Sequence, residues 1–361
     1  MHAHGGERVR ARSLGVVVGA LPTGPLNAIT DVPGVLVGHT TVDDGADLHT
    51  GVTAIVPESL AGGGLPAAVH TGNGYGKLVG STQVDELGVL ESPVVLTATL
   101  SVFRAADAVL TYLMGRRPDG VSFNPLVGET NDGFLSDIRR RPITERHVLD
   151  ALEGAVGGLP AEGCVGAGTG TTALGFKAGI GTSSRRVTVS GSVAVSGSVV
   201  AGGSVTAGGS VAVGGSEVTV GALAQANFGG LLTVRGVPVP VEEVVPGAWR
   251  PEPPGNSCMI VVATDAPLDA RRLGRLARRA VFAMGRVGAS YAQGSGDYAI
   301  AFSTAPPGAP AVPDPALDPL FAAVMDAVEE ALLNSLFMAT TTTGFAGRTA
   351  HAVPYDRRYL G

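Results

Sequence analysis

The chain has 361 residues, enough for one large domain or two modest ones with a sizeable buried core. A net charge of −6 and a pI near 5.6 leave no basic stripe that could neutralise phosphates, so composition argues against a nucleic-acid partner. Hydrophobic residues form 45% of the chain and charged residues only 16%, which favours a folded protein that hides part of its surface in a homo-oligomer.

The sequence carries no signal for export, a membrane span or a cofactor. Its N-terminus, MHAHGGERVRARS, lacks a hydrophobic signal core, and no segment reaches about eighteen uninterrupted apolar residues. The two cysteines form no metal- or redox-type pair, and the seven histidines show no zinc-ligand spacing. Glycine clusters at 72–76 and 166–170 lack the Lys–Ser pair of a phosphate-binding loop. We therefore expect a cytoplasmic protein that needs no metal or organic cofactor.

Hydrophobic periodicity predicts both strands and helices along the chain. The predicted strands are, in chain order, 34–39, 52–56, 94–96, 187–189, 218–224, 259–264 and 298–302. The predicted helices are 100–114, 145–152, one that opens at Asp265 and runs to about Met284, and one from Asp318 to about Met338. The mixture indicates an α/β protein, but the order lacks the regular alternation of a doubly wound parallel sheet.

A repeat with a period of six residues occupies positions 187–220. Glycine marks it at Gly191, Gly197, Gly203, Gly209 and Gly215. A β-helix needs about three hexads for each coil and several stacked coils, and five hexads are too few to bury a core. We therefore predict a flexible or hairpin-like surface insertion that joins two strands and takes no part in the chemistry.

A junction between a loop and a strand lies near residue 257. Residues 251–255, PEPPG, cannot form a helix or a central strand, so they predict an exposed loop. The apolar run 258–262 that follows is typical of a fully buried strand. Ser257 therefore lies where an accessible loop enters the core, and Gly255 and Asn256 leave little steric cover over the preceding carbonyl. This geometry suits a nucleophile that first attacks its own peptide bond and then works as a new N-terminus.

That junction and several other stretches resemble the L-aminopeptidase/D-esterase and β-peptidyl aminopeptidase family, whose members cleave themselves into two subunits. The stretches are, in chain order, PLNAITDVPGVLVGHTTV (25–42), VGETNDGFLSDI (127–138), GAGTGTTALGFKAGIGTSSR (166–185), ALAQANFGG (222–230) and GSGDYAIAFST (294–304). They cover nearly the whole chain in the family's order, and the repeat is the main departure. The resemblance implies a four-layer αββα sandwich of the N-terminal-nucleophile-hydrolase type. It also implies one hydrolase domain cut between Asn256 and Ser257 into subunits 1–256 and 257–361.

Hydrolysis of an amide needs a nucleophile, a donor to the oxyanion and a proton for the leaving amine. A free N-terminal Ser257 would attack with its hydroxyl, and its α-amine, with an ordinary pKa of about 7.7–8.0, can act as the base. The resemblance places Ser295 and Asp297 beside that amine, where a carboxylate favours the ammonium form. It gives Asn227 the role of amide donor to the oxyanion. The alternative for each is an ordinary polar residue at a turn or a strand end.

The run Gly-Glu-Thr-Asn-Asp-Gly at 128–133 resembles the family's pocket for the substrate's amine. An aminopeptidase must recognise a free ammonium, and the carboxylate of Glu129 is the natural counter-charge. Asn131 takes the place of a tyrosine found in some relatives, which favours the β-peptidyl branch. The same run is also a plain turn signal, so either residue could be structural.

The sequence thus predicts a self-processing serine aminopeptidase that removes the N-terminal residue from small peptides, amides or esters. Two enzyme alternatives share the scaffold: an acyl transferase of the ornithine acetyltransferase type and a hydrolase for oligoamides. Both usually have a threonine nucleophile, so Ser257 counts against them. An uncleaved binding protein that has kept the fold is the alternative from another class.

Overall fold

The computed structural model of the chain describes residues 7–194, 210–245, 247–248, 256–356 and 358–360. The middle of the repeat and the loop predicted at 251–255 lie outside the described residues. The strands are β1 Val35–Asp43, β2 His49–Pro57, β3 Leu65–Gly74, β4 Leu78–Val79, β5 Val89–Leu90, β6 Val94–Ala98, β7 Leu126–Thr130, β8 Thr172–Ala173, β9 Phe176–Lys177, β10 Ile180–Ala194, β11 Ser210–Asn227, β12 Thr233–Val234, β13 Val237–Pro238, β14 Asn256–Thr264, β15 Ser295–Ser303, β16 Thr342–Thr343 and β17 Thr349–Ala350.

The α-helices are α1 Ser81–Leu87, α2 Val102–Arg116, α3 Glu145–Glu153, α4 Val241–Val244, α5 Ala270–Met284 and α6 Asp318–Phe337. Short 3-10 turns connect several of these elements. None of the helices within the described ranges is both long enough and apolar enough to cross a membrane.

Two sheets form the centre of the molecule. The first has the strand order β1-β2-β6-β7-β4, in which only β6 and β7 run parallel. The second has the order β10-β11-β14-β15-β3-β5, in which only β14 and β15 run parallel. Each sheet therefore contains one parallel pair of strands, and its other neighbouring strands are antiparallel.

Each sheet has one face toward the other sheet and one face toward helices. Val52, Val95 and Val127 of the first sheet are buried against α2 and α3. Alternate residues of β14 show the second sheet's arrangement: Cys258 and Ile260 pack toward α5 and α6, whereas Met259 and Val261 face the first sheet. The four layers, helix–sheet–sheet–helix, confirm the predicted αββα sandwich.

The sheets approach each other closely beside the junction at residue 257. A Cβ atom at Gly128 of β7 would lie 2.8 Å from the sulfur of Met259 in β14. That separation is shorter than van der Waals contact allows, so any side chain at position 128 would have to displace the buried side chain of Met259. The Gly-Glu-Thr-Asn run of the sequence is thereby brought against the start of β14.

Several element boundaries differ from the prediction, among them one after β14 and one at the start of β15. The helix expected from Asp265 begins at Ala270, because the carboxylate of Asp265 instead accepts the backbone N–H of Thr219 at 2.7 Å. Asp269 caps the helix by accepting the N–H of Arg272 at 2.8 Å. The strand predicted at 298–302 is longer than expected, because β15 already begins at Ser295.

The described ends of the repeat extend a hairpin. Strands β10 and β11 pair from Ile180 opposite Gln225 outward to Ala194 opposite Ser210, with one irregularity after Val189. Val187, Val189 and Val218 are buried against the helical layer, whereas Glu217, whose side chain alternates to the opposite face, is exposed. The inner half of the hairpin therefore belongs to the core, and the repeat continues from its outer half.

Candidate functional site

Ser257 is the second residue of β14, and its side chain is 3% exposed. Its register partners are Asn227, the last residue of β11, and Gly296, the second residue of β15. Because β14 lies between these two strands, Ser257 is held at one end of the sheet by backbone pairing on both sides. The structure therefore places Ser257 at a strand start, as the sequence predicted.

The hydroxyl oxygen of Ser257 accepts two hydrogen bonds from opposite sheets. The backbone N–H of Asn131, just after β7, donates to it at 3.2 Å. The side-chain Nδ2 of Asn227 donates to it at 3.5 Å, which is long for a hydrogen bond. The backbone N–H of Thr172 donates to Oδ1 of Asn227 at 3.1 Å, and this fixes which end of the amide faces Ser257.

Ser295 and Asp297 form a hydrogen-bonded pair next to Ser257. The hydroxyl of Ser295 donates to Oδ1 of Asp297 at 2.7 Å, and Nδ2 of Asn73 donates to Oδ2 at 3.2 Å. Burial raises the pKa of Asp297, while the bonds from Ser295 and Asn73 oppose the shift. Both carboxylate oxygens of Asp297 are therefore buried and accept a hydrogen bond.

The register shows where this pair points. Ser295 lies opposite Asn256 and Asp297 opposite Cys258, one residue before and one after Ser257. Side chains alternate along a strand, so the pair lies on the face that Cys258 occupies and not on the face of the Ser257 hydroxyl. Within the described ranges no hydrogen bond joins either residue to the Ser257 side chain. The pair therefore flanks the backbone around residue 257.

Glu129 lies two residues before Asn131 and is 3% exposed. Its Oε1 accepts the backbone N–H of Lys77 at 3.1 Å and lies 3.3 Å from the Lys77 ammonium. The ammonium of Lys77 also donates to the hydroxyl of Thr99 at 2.7 Å. The predicted counter-charge is thus present and buried, but it already has a cationic neighbour.

Asn131 and Asn256 contribute differently from the residues above. The side chain of Asn131 accepts the N–H of Gly133 at 2.9 Å, so it shapes the turn, and the hydrogen bond to Ser257 comes from the backbone of Asn131. Asn256 lies beside Gly229, where a Cβ atom would come 3.1 Å from its Nδ2. A side chain at position 229 would crowd the residue on the N-terminal side of the predicted cut.

A second buried acid follows directly after Asn131. Asp132 is 2% exposed, and neither of its carboxylate oxygens has a hydrogen-bond partner within the described part of the chain. Burial raises the pKa of Asp132 to about 7; the nearby hydroxyl of Thr50 and the charge of Lys177 oppose the shift, and the charge of Glu129 adds to it. An acid that changes charge near neutral pH therefore adjoins the backbone that holds Ser257.

Sequence reasoning missed three residues that the fold brings to this place. Asn73 lies within the glycine cluster at 72–76, Lys77 directly follows that cluster, and Thr172 follows the second cluster at 166–170. The glycines mark backbones that come close to neighbouring strands, and this was the available signal. In the described residues, no group of three or more His, Cys, Asp or Glu side chains is arranged to hold a metal ion.

Comparison with known proteins supports the family and the fold. The model of peptidase family S58 matches residues 27–350. The β-peptidyl aminopeptidase BapA of Sphingosinicella xenopeptidilytica is 38% identical over 387 aligned residues, which cover 96% of this chain and 89% of that protein.

Solved structures give the same result. The PH0078 protein from Pyrococcus horikoshii OT3 superposes with a TM-score of 0.85 at 38% identity, over 97% of this chain and 98% of that one. The L-aminopeptidase D-Ala-esterase/amidase of Ochrobactrum anthropi, described as a variant of the Ntn hydrolase fold, gives 0.82 at 34% identity, over 98% and 99%. The family match, the near-complete coverage and the shared fold make this chain a member of peptidase family S58.

Proposed function

We propose that this aminopeptidase-family protein cuts its own Asn256–Ser257 bond and then hydrolyses small peptides, amides or esters with Ser257 as the N-terminal nucleophile. The observation that carries the proposal is the convergence of the Asn131 N–H and the Asn227 amide on the buried hydroxyl of Ser257. One donor directly follows β7 of the first sheet, and the other is the last residue of β11 in the second sheet. A hydroxyl held in this way is fixed in direction before any substrate arrives.

In the uncleaved chain the nitrogen of Ser257 is a peptide amide and cannot take a proton. Cleavage makes it an α-amine with an ordinary pKa of about 7.7–8.0, which can accept the hydroxyl proton near neutral pH. The Ser295–Asp297 pair flanks this backbone position, so its buried carboxylate would hold the new amine and favour the ammonium form. The precursor should consequently have no amidase activity.

Asn227 is the proposed donor to the oxyanion. Its Nδ2 already lies near the reacting hydroxyl, and the Thr172 bond prevents the amide from turning its oxygen to that side. A preorganised amide donor stabilises the charge that develops on the substrate's carbonyl oxygen. The backbone N–H of Asn131 is close enough to the same centre to assist.

Glu129 is the proposed anchor for the substrate's free ammonium, with Asn131 positioned at the pocket by its turn. The carboxylate is buried two residues from the N–H that contacts Ser257, so an ammonium bound there would bring its carbonyl toward the nucleophile. The relative named above is a β-peptidyl aminopeptidase, which supports substrates with β-linked amino acids among those accepted.

The remaining parts of the proposal concern the protein's surroundings. We propose a homo-oligomer of processed heterodimers in the cytoplasm, supported by the low charged fraction of the chain. A serine nucleophile separates this proposal from acyl transferases and oligoamide hydrolases with threonine. Light scattering on the purified protein, before and after processing, measures the oligomer.

Denaturing electrophoresis tests the central claim. The purified protein should give two bands, and N-terminal sequencing of the smaller one should begin Ser-Cys-Met-Ile. The Ser257→Ala variant should remain one inactive chain. A single intact band from the parent protein would instead favour the uncleaved binding protein, and another N-terminus would refute the assignment of Ser257.

A further inference from the structure

The segment from Asn73 to Lys77 runs along the strand that carries Ser295. Gly74 pairs with Gly296, which in turn pairs with Ser257, and the N–H of Tyr75 donates to the carbonyl of Ser295 at 3.1 Å. The chain then turns toward Glu129, where a Cβ atom at Gly76 would lie 3.3 Å from Oε1 of that carboxylate. Lys77 thus reaches the candidate amine pocket from the second sheet's side.

Lys77 and Glu129 present opposite charges side by side, and each keeps unused bonding capacity. Oε1 of Glu129 accepts hydrogen bonds from the backbone N–H and from the ammonium of Lys77, whereas Oε2 accepts no hydrogen bond from the residues that the structure describes. The ammonium of Lys77 has three donors, and the bonds to Thr99 and Glu129 use two of them. The Lys77 side chain is 37% exposed, so its remaining donor is open to a ligand.

An anchor for an ammonium alone does not need this lysine, because the positive charge of Lys77 weakens the attraction between Glu129 and a cation. A ligand that carries an ammonium and a carboxylate on the same carbon uses both groups. Its ammonium would bind Oε2 of Glu129 and its carboxylate the free donor of Lys77. The four charges then alternate in sign, an arrangement in which each charge-assisted bond strengthens its neighbours.

We propose that the pocket recognises β-linked aspartyl residues, an inference that rests on the proposed function. In an ordinary α-linked peptide the α-carboxyl group is the scissile carbonyl, so no carboxylate remains beside the ammonium. In a β-aspartyl amide the scissile carbonyl is the side-chain one, and the α-ammonium and α-carboxylate both remain free on one carbon. One methylene separates that carbon from the carbonyl that Ser257 attacks.

The reaction is an ordinary amide hydrolysis. The hydroxyl oxygen of Ser257 forms an ester with the β-carbonyl carbon, and the C–N bond to the leaving amine breaks. The hydroxyl proton passes through the α-amine of Ser257 to that leaving amine. Water then hydrolyses the ester, which releases aspartic acid and restores the hydroxyl. Lys77 takes no part in bond breaking and acts as a specificity residue.

Two matched anilides test the proposal on the processed enzyme. One is the β-(4-nitroanilide) of L-aspartic acid, and the other is the same compound with the α-carboxylate replaced by a carboxamide. We expect kcat/KM to be at least about tenfold higher for the carboxylate compound, since one charge-assisted contact is lost with the amide. Lys77→Met should bring the ratio close to one, and Lys77→Arg should keep most of the preference.

The outcomes separate this inference from the function on which it rests. Equal kcat/KM values for the two anilides in the parent enzyme would overturn it, whether or not any variant folds. A Lys77→Met variant that loses both activities by the same factor would also overturn it, because Lys77 would then only hold Glu129 in place. If neither compound nor β-alanyl 4-nitroanilide is cleaved, the proposed aminopeptidase function itself fails. Electrophoresis of each variant confirms that it has processed.

Discussion

Asn227 and Ser257 are direct partners in the antiparallel register of β11 and β14, and the amide nitrogen of one lies 3.5 Å from the hydroxyl oxygen of the other. Backbone hydrogen bonds between neighbouring strands hold register partners in place, so the distance between their Cα atoms changes little when side chains move. The Thr172 N–H fixes the direction of the amide as well. A donor in this position would be preorganised for the charge that the proposed reaction develops beside Ser257.

The first prediction follows from that donor. Asn227→Ala removes it without adding a charge, and we expect kcat to fall by about 10²–10³-fold in the processed enzyme. Steady-state kinetics, scaled to the amount of processed chain, measure the loss. Thr172 donates through its backbone, so Thr172→Val is a matched control that should change kcat little. Parental turnover in Asn227→Ala would show that the oxyanion is stabilised by other groups.

The second prediction concerns the pH dependence that Asp297 would impose on the amine of Ser257 after the proposed cut. The base must be neutral to act, so the acidic limb of kcat/KM reports the amine's pKa. A neighbouring carboxylate favours the ammonium and raises that pKa. Asp297→Asn should therefore move the acidic limb toward lower pH by about one unit, together with a loss of rate. An unmoved limb would separate Asp297 from the amine.

The third prediction addresses the substrate's ammonium. Glu129→Gln keeps the size of the side chain but removes its charge, and it leaves Lys77 as an uncompensated cation in the pocket. A lost, largely desolvated ion pair costs on the order of 2–5 kcal/mol, which corresponds to at least about a tenfold fall in kcat/KM for free-amine substrates.

Processing serves as the internal control for that variant, because self-cleavage requires no substrate ammonium. Glu129→Gln should give two bands at close to the parental rate. If it processes normally and cleaves free-amine substrates as well as the parent, Glu129 does not bind the ammonium. If it fails to process, the residue is structural and the amine must be bound elsewhere.

The fourth prediction uses the buried acid Asp132. The folded chain holds its proton up to about pH 7, whereas an unfolded chain loses it near the ordinary value of 3.8. Between these values the folded state binds more protons, so stability falls as the pH rises through this range, by up to about 4 kcal/mol. Asp132→Asn resembles the protonated acid and should lack this part of the decline.

Thermal unfolding at about pH 5 and about pH 8 measures the difference. The fall in Tm between the two conditions should be smaller in Asp132→Asn than in the parent. Burial also raises the pKa of Glu162 to about 7, and that group remains in both proteins, so part of the decline should persist. Identical declines would mean that Asp132 is paired in the folded enzyme.

The fifth prediction concerns the glycine repeat. Replacing residues 191–216 with a short Gly/Ser turn keeps the pairs Val187–Val218 and Thr188–Glu217, and with them the buried half of the hairpin. Processing and turnover should remain largely intact, as electrophoresis and kinetics would measure. Loss of either in a soluble, folded variant would show that the repeat is more than an accessory insertion.

The sequence predicts the positions of some residues of the site but not of others. Ser257 and Asn227 could be placed because each stands where an apolar run meets turn residues, and local chain properties decide strand ends. Asn73 and Lys77 could not, because their position depends on the pairing of β3 with β15 across more than 200 intervening residues. Pairing between strands so far apart in the chain produces no periodic pattern in the sequence from which the register could be predicted.

The sequence also did not show on which face of the sheet Ser295 and Asp297 lie. Ser295 and Asp297 were expected beside the nucleophile, and they do lie in the neighbouring strand. The parallel register of β14 and β15 places them opposite Asn256 and Cys258, and this offset follows only from three-dimensional pairing. The four layers themselves could be anticipated only through the family resemblance, since mixed helices and strands fit several architectures.

The strand order of the second sheet has a consequence for the proposed cut. Strands β14 and β15 would belong to the small subunit, yet β11 and β3 on either side of them would belong to the large one. Neither fragment can leave without breaking a central strand pairing and opening the core between the sheets. Separation of the two polypeptides would therefore be the same event as global unfolding. Reassembly would become a bimolecular reaction whose rate depends on protein concentration, whereas the uncut precursor refolds as a single molecule.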